Sequence, residues 1–254
     1  MKTVRFLLLF SFSNALFAFY PAVGDTNITD ANGLKQGTWK EKVERDVWIG
    51  EYINGLKEGT WITYHNNAKN PLISKMENYK GNKKNGFSLE IDKNGTLIKE
   101  EHYKNDTLDG PSRLYLYGGN VKAEVTYKMG KLEGVKRSYY PDNYKVQEET
   151  YYKNNVRDGV TKWFYADGGV YLEQTYKNGS LEGAVKTYYK NGNITSQGIY
   201  VKNEMEGEYF EFYENGKVKI SGKYVKGKKE GIWKEYDVEG NMKQVKYKND
   251  QIIK

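Results

Sequence analysis

Acidic side chains stand one residue before a glycine at Glu58, Asp109, Glu133, Asp158, Glu182, Glu206 and Glu230, with Asn85 as the exception. A row of carboxylates invites calcium, which needs several hard oxygen ligands around one ion. Each of these loops offers about one carboxylate, and loops repeated along a sheet stand about 10 Å apart. That is too far to share an ion, so the expected role is a turn residue accepting backbone amides. Lysines answer the acids in the same loops, at Lys104, Lys128, Lys153, Lys177, Lys202, Lys226 and Lys248. Positive and negative charge are therefore interleaved, which argues against nucleic-acid binding despite the formal net charge of +7. Peripheral contact with an anionic surface is the most this charge supports. The two histidines do not form a metal or triad set. His65 fills a position held elsewhere by Tyr140, Tyr165, Tyr189 and Tyr213, and His102 precedes the recurrent Tyr103. With no cysteine in 254 residues, thiolate metal sites, cysteine nucleophiles and disulfides are excluded. No enzyme, cofactor or metal is expected. The remaining chemistry is aromatic: Trp61, Tyr64, Tyr115, Tyr139, Phe164, Tyr188, Phe212, Trp233 and Tyr236 form a candidate partner-binding ladder.

The elements that position this ladder repeat. Glycines at 37, 59, 86, 110, 134, 159, 183, 207 and 231 follow one another at intervals of 22, 27, 24, 24, 25, 24, 24 and 24 residues. Nine units of about 24 residues therefore fill residues 37–254. Eight and nine residues after most anchors comes a turn pair such as Asn94-Gly95, Asn191-Gly192 or Asn215-Gly216. These pairs predict type I′ hairpin turns. Tyrosine recurs seventeen residues after the anchor, at Tyr103, Tyr127, Tyr151, Tyr176, Tyr200 and Tyr224, before a second, looser turn. Odd offsets carry the aromatic and aliphatic residues, whereas return strands show polar residues at Glu100, Glu124, Glu173, Gln197 and Ser221. Period-two alternation predicts strands with one apolar face. The fold class is all-β: an elongated, twisted antiparallel sheet of nine consecutive hairpins. Accumulating twist should curl it, with the aromatic face concave.

The units read Gly-x-aromatic-x-x-Tyr, then Asn-Gly, then Tyr, then acidic-Gly. Clear instances are Gly59-Thr-Trp61-Ile-Thr-Tyr64 and Gly231-Ile-Trp233-Lys-Glu-Tyr236. This resembles the MORN repeat, specifically the bacterial variant whose members are often labelled YwqK-family antitoxins. The resemblance covers residues from about 37 to 250. It implies an elongated sheet used for protein or membrane-surface association, and it brings an antitoxin reading with it.

Lys2 and Arg5 precede an apolar run from Phe6 to about Phe19, with Ala18 at an acceptable cleavage position. This is the layout of a secretory signal peptide, residues 1–18. Residues 19–36 lack an apolar period and read as a linker. The chain is expected to be exported to the periplasm, cell surface or exterior, and without a cysteine it is not a lipoprotein. The leading expectation is a non-enzymatic scaffold that binds a protein or envelope component through its concave aromatic face. The alternatives are an antitoxin or immunity protein and a wall-glycan binder. Lys243, Lys246 and Lys248 guard the last strand edge, and a monomer is expected.

Overall fold

The computed structural model describes residues 26–65 and 71–253; the signal peptide expected at 1–18 and the first part of the expected linker, 19–25, lie outside the described residues. Among the described residues the regular structure is all strand, and the strands pair in chain order into one antiparallel sheet. The pairing continues unit by unit to Met242–Lys248, which is flanked by the short strand Gln251–Ile253. The stretch read as a linker joins this sheet from residue 28 onward. Ile28 and Thr29 pair with Gln36 and Lys35, and the Asn27 side chain bridges the backbone amide and carbonyl of Lys40. Its lack of apolar period reflects an edge position, where a strand needs no buried face.

Every anchor glycine has a positive φ, from 65° at Gly59 to 123° at Gly110. That is why glycine recurs there: a side chain would be strained in this conformation. At the anchor the strand opposes fewer residues than it contains. In the unit at Gly183, Tyr176 pairs with Leu181 and Gln174 with Val185, so three residues face one.

The tight turns are the reverse of the expectation. In Asn94-Gly95, Asn191-Gly192 and Asn215-Gly216 only the glycine has positive φ, and Gly95 N–H donates to Asp92 C=O at 3.0 Å. This is a type I turn closed by a left-handed glycine, the geometry of longer hairpin loops. The two-residue turns with positive φ at both positions are the ones read as looser. They include Asn105-Asp106, Asn154-Asn155, Lys202-Asn203 and Asn249-Asp250.

Those turns clamp neighbouring units together. Leu181 N–H donates to Asn203 Oδ1 at 2.7 Å, Asn203 N–H donates to Leu181 C=O at 3.0 Å, and Lys202 N–H donates to Glu182 Oε2 at 2.8 Å. The same set recurs at Leu132, Glu133, Asn154 and Asn155, and at Lys229, Glu230, Asn249 and Asp250. The carboxylates preceding the anchors are therefore amide acceptors, as the spacing predicted, but the amide belongs to the turn of the following unit. Four tyrosines add a second clip on the other side of the sheet. The hydroxyls of Tyr140, Tyr165, Tyr189 and Tyr213 donate to the carbonyls of Phe164, Tyr188, Phe212 and Tyr236 at 2.6–2.8 Å. Removing one clamp acceptor, by Glu182→Ala, is expected to cost about 1 kcal/mol. Urea denaturation reads the loss, and Glu182→Gln, which keeps an acceptor oxygen, should recover most of it. Equal losses in both variants would refute the clamp.

Candidate functional site

Strand alternation assigns each offset from the anchor to a face. In the seven units from Gly59 to Gly207 the register slips by one just after offset four, as between Thr187↔Ser196 and Tyr188↔Ile194. This bulge reverses parity on the return strand. The apolar residues expected on one face are consequently divided between two. Tyr64, Tyr115, Tyr139, Phe164, Tyr188, Phe212 and Tyr236, five after their anchors, share a face with Ile73, Val121, Val146, Val170, Ile194, Val218 and Met242. Trp61 and Trp233 stand two after their anchors and point the opposite way, as do the tyrosines paired with anchor glycines.

The tryptophan face is closed by its own residues. Trp39, Tyr52, Trp61 and Tyr79 pack edge to face with centroids 5.0–6.5 Å apart, and Tyr209, Tyr224, Trp233 and Tyr247 form a second cluster at the other end. Trp61 is 1% exposed and Trp233 5%. Lysines lie over the rings: Lys57 Nζ is 4.1 Å from the Trp61 centroid and 4.3 Å from that of Trp48, and Lys229 Nζ is 4.3 Å from that of Trp233. Burial pushes the Lys57 ammonium down from its ordinary pKa. These tryptophans hold units together by packing and cation–π contact. Small residues make room for them eleven positions earlier: Gly50 lies against Trp61 and Gly222 against Trp233.

The opposite face carries a feature that the sequence reading left unassembled. One file of residues crosses the sheet strand by strand: Ile49, Ile62, Met76 and Leu89, then Glu100, Arg113, Glu124, Arg137, Glu149, Lys162, Glu173 and Lys186, then Gln197 and Phe210. The eight central members alternate in sign without a break. Arg137 Nε lies 2.7 Å from Glu149 and its Nη1 3.3 Å from Glu124; Arg113 bridges Glu100 and Glu124 at 3.4 Å, and Lys162 lies 3.3 Å from Glu173. Two ladder tyrosines join the file, Tyr115 donating to Glu100 at 2.7 Å and Tyr139 to Glu124 at 2.8 Å. Burial, with the acceptor carboxylate, pushes both phenols up to about 12. Burial works to raise the Glu124 carboxyl, but the bonds from Tyr139, Arg137 and Arg113 outweigh it and hold it below the usual range. The acidic half of this file stood out as polar return-strand residues. Its basic half was visible as Arg113, Arg137, Lys162 and Lys186, each three residues after an anchor glycine.

This charged face also exposes apolar groups. Tyr151, Val156, Ile199, Val201, Ile232 and Met242 lie on it, with Ile199 50% and Ile232 52% exposed. Among the described residues there is no cluster of three or more His, Asp or Glu side chains placed to hold a metal ion, and no helix long and apolar enough to cross a membrane.

Comparison with known proteins agrees with the repeat. The family described as MORN repeat variant matches residues 88–105, 157–178, 181–202 and 205–226. No curated protein matches the chain. Among solved structures, a chain in the crystal structure of the GtfA/B complex bound to UDP and GlcNAc is similar at a TM-score of 0.21 and 13% identity, over 45% of this chain and 22% of that one. The present chain thus spans about a fifth of that relative's length. The matched segments each begin near an anchor glycine, and four of the units of this chain are MORN repeats of the variant type.

Proposed function

We propose that this protein is an exported, non-enzymatic scaffold that presents its charged face to a protein or envelope component. The observation that carries the reading is the continuity of that face. A single file of alternating charge runs beside a row of tyrosine, phenylalanine, valine and isoleucine, and its flank exposes Tyr151, Ile199 and Ile232. Contiguous apolar surface rimmed by polar groups marks interaction sites on soluble proteins. The tryptophan face is a poorer candidate, because the rings that would stack on a sugar or peptide are already covered. For the same reason the wall-glycan reading loses the two residues it relied on, Trp61 and Trp233.

Capture from envelope fractions tests the reading. Tyr151→Glu combined with Ile199→Glu should lower partner recovery by roughly tenfold, whereas Leu72→Glu, exposed on the opposite face, should leave it unchanged. Recovery of nothing beyond a scrambled-repeat control would sink the binding reading. Fractionation that leaves the full chain in the cytoplasm would sink export.

A further inference from the structure

The charge file is complementary to itself. It has eight members, an even number, in strict alternation from Glu100 to Lys186. A two-fold axis parallel to the strands and passing between Arg137 and Glu149 reverses the order of the file while keeping the strand direction. Glu100 then faces Lys186 of a second copy, Arg113 faces Glu173, Glu124 faces Lys162 and Arg137 faces Glu149. Every pair is opposite in sign. An axis along the file instead would set each charge against its own copy, so only one of the two arrangements is allowed.

The neighbouring row agrees independently. On forward strands it holds aromatic residues and on return strands mostly aliphatic ones, and the same axis sets forward strands against return strands. Leu97 meets Tyr188, Tyr115 meets Val170, Val121 meets Phe164 and Tyr139 meets Val146, so a large ring faces an aliphatic residue each time. On the other flank Val135 meets Tyr151 and Thr126 meets Val160. The file ends where this matching ends, at Leu89 and Gln197.

We propose that the partner of the charged face is a second copy of this chain, in an isologous dimer of two stacked sheets. This rests on the reading of that face as the binding surface. Eight strands at about 4.8 Å and three rows at about 6.6 Å give a patch of about 760 Å² per copy. Two such patches total about 1,500 Å², the area of a standard stable interface. Twisted sheets of one hand stack at about −30°, which keeps the pairs nearest the axis in closest contact. The in-sheet ion pairs leave Arg113 and Arg137 with 36% of their side-chain surface free, enough to meet a second carboxylate. Guarded edges, which led to the expectation of a monomer, do not bear on a contact made through a face.

Sedimentation velocity on the mature chain, with zero-length carbodiimide cross-linking of a mixture of isotopically light and heavy copies, tests the dimer. A dimer mass is expected, with the mixed-isotope cross-link Glu124–Lys162, a pair near the axis. These two side chains are three strands, about 14 Å, apart within one copy, so a zero-length link between them joins two copies. Arg137→Glu should weaken association at least about tenfold. Adding Glu149→Arg restores opposite signs across the axis, although not along the file, and should recover association. Circular dichroism of each variant separates loss of pairing from loss of fold. A monomeric mass at all concentrations overturns the proposal, and so does a dimer cross-linked only through residues 26–43 or 242–253. A monomer that still captures an envelope protein through Tyr151 and Ile199 also overturns it, while leaving the binding reading intact.

Discussion

Gly222→Ala is expected to cost about 3 kcal/mol and to loosen the C-terminal units before the rest of the sheet. A Cβ on Gly222 would lie 2.2 Å from Trp233 Cδ2 and 2.3 Å from Cε2. The backbone there is not left-handed, so alanine meets no conformational strain, and the whole penalty is volume. The ring cannot step aside. Tyr224 lies 5.0 Å away edge-on, Tyr209 5.9 Å and Tyr247 6.2 Å, with Lys229 above. Each unit of a repeat sheet touches only its neighbours, so the damage stays local. Hydrogen exchange should accelerate across residues 207–253 and stay unchanged across 134–188. Gly198→Ala is the control: its Cβ would meet Tyr209 Cδ2 at 3.3 Å, and a loss below about 1 kcal/mol is expected. Replacing the pair by Gly222→Thr and Trp233→Thr copies Thr150 and Thr161, which are 0% and 1% exposed, and should recover part of the loss. If Gly222→Ala melts like the parent, or Gly198→Ala is equally damaging, the ring-on-glycine contact is not what holds that end.

The complementarity at Gly222 marks the limit of what was legible in the sequence. The anchor glycines, the nine units and the antiparallel order follow from spacing alone, because a hairpin ladder admits only one order of strands. That Glu182 and its equivalents accept amides was legible as well, since loops about 10 Å apart cannot share an ion, but not that the amide lies some twenty residues on, as Lys202 N–H does for Glu182. The face of each residue was not. Parity counting carries across a strand only while the register is regular, and one extra residue after Tyr188 or Phe212 reverses it. Nothing in the side chains there marks the slip. The turn types failed for a related reason. Asn-Gly fits both a type I′ turn and the end of a type I turn with a left-handed glycine, and only loop length separates them. Lys202-Asn203 forms a two-residue turn without the usual glycine because the Asn203 side chain is recruited by the Leu181 amide in the preceding unit. The charge file was hidden differently. Its members lie eleven to thirteen residues apart and become neighbours only once the registers of every strand are known.

Alkali is expected to unfold this sheet between pH 10 and about 12, a consequence of how its tyrosines are held. The phenols of Tyr103, Tyr115 and Tyr139 are pushed up to about 12 by burial first, and then by donating to Glu101, Glu100 and Glu124. Tyr79 and Tyr209 are raised further by the same causes, their acceptors being Glu77 and Glu211. Unfolded, these groups titrate near 10. A folded pKa above the unfolded one means that the proton is held more tightly in the native sheet. The resulting stability is complete below pH 10 and is lost as pH rises through about 12. Discounted for solvent screening at these half-buried sites, each tyrosine contributes about 1 kcal/mol. Five together contribute about 5 kcal/mol, a large part of the stability of a domain without a thick core. The acid side moves the opposite way and less: Glu124 is held low, so its contribution is present above about 4.5 and is lost as pH falls. A pH titration followed by tyrosinate absorbance and far-ultraviolet dichroism should show a large part of the phenolate signal appearing together with loss of strand. Tyr115→Phe with Tyr139→Phe removes two of the linked protons and should move the transition to higher pH. If phenolate instead forms fully near pH 10 with the strand signal intact, the hydroxyl–carboxylate bonds are too weak to tie these protons to the fold, and the stability of the sheet must rest on its backbone clamps and packed tryptophans alone.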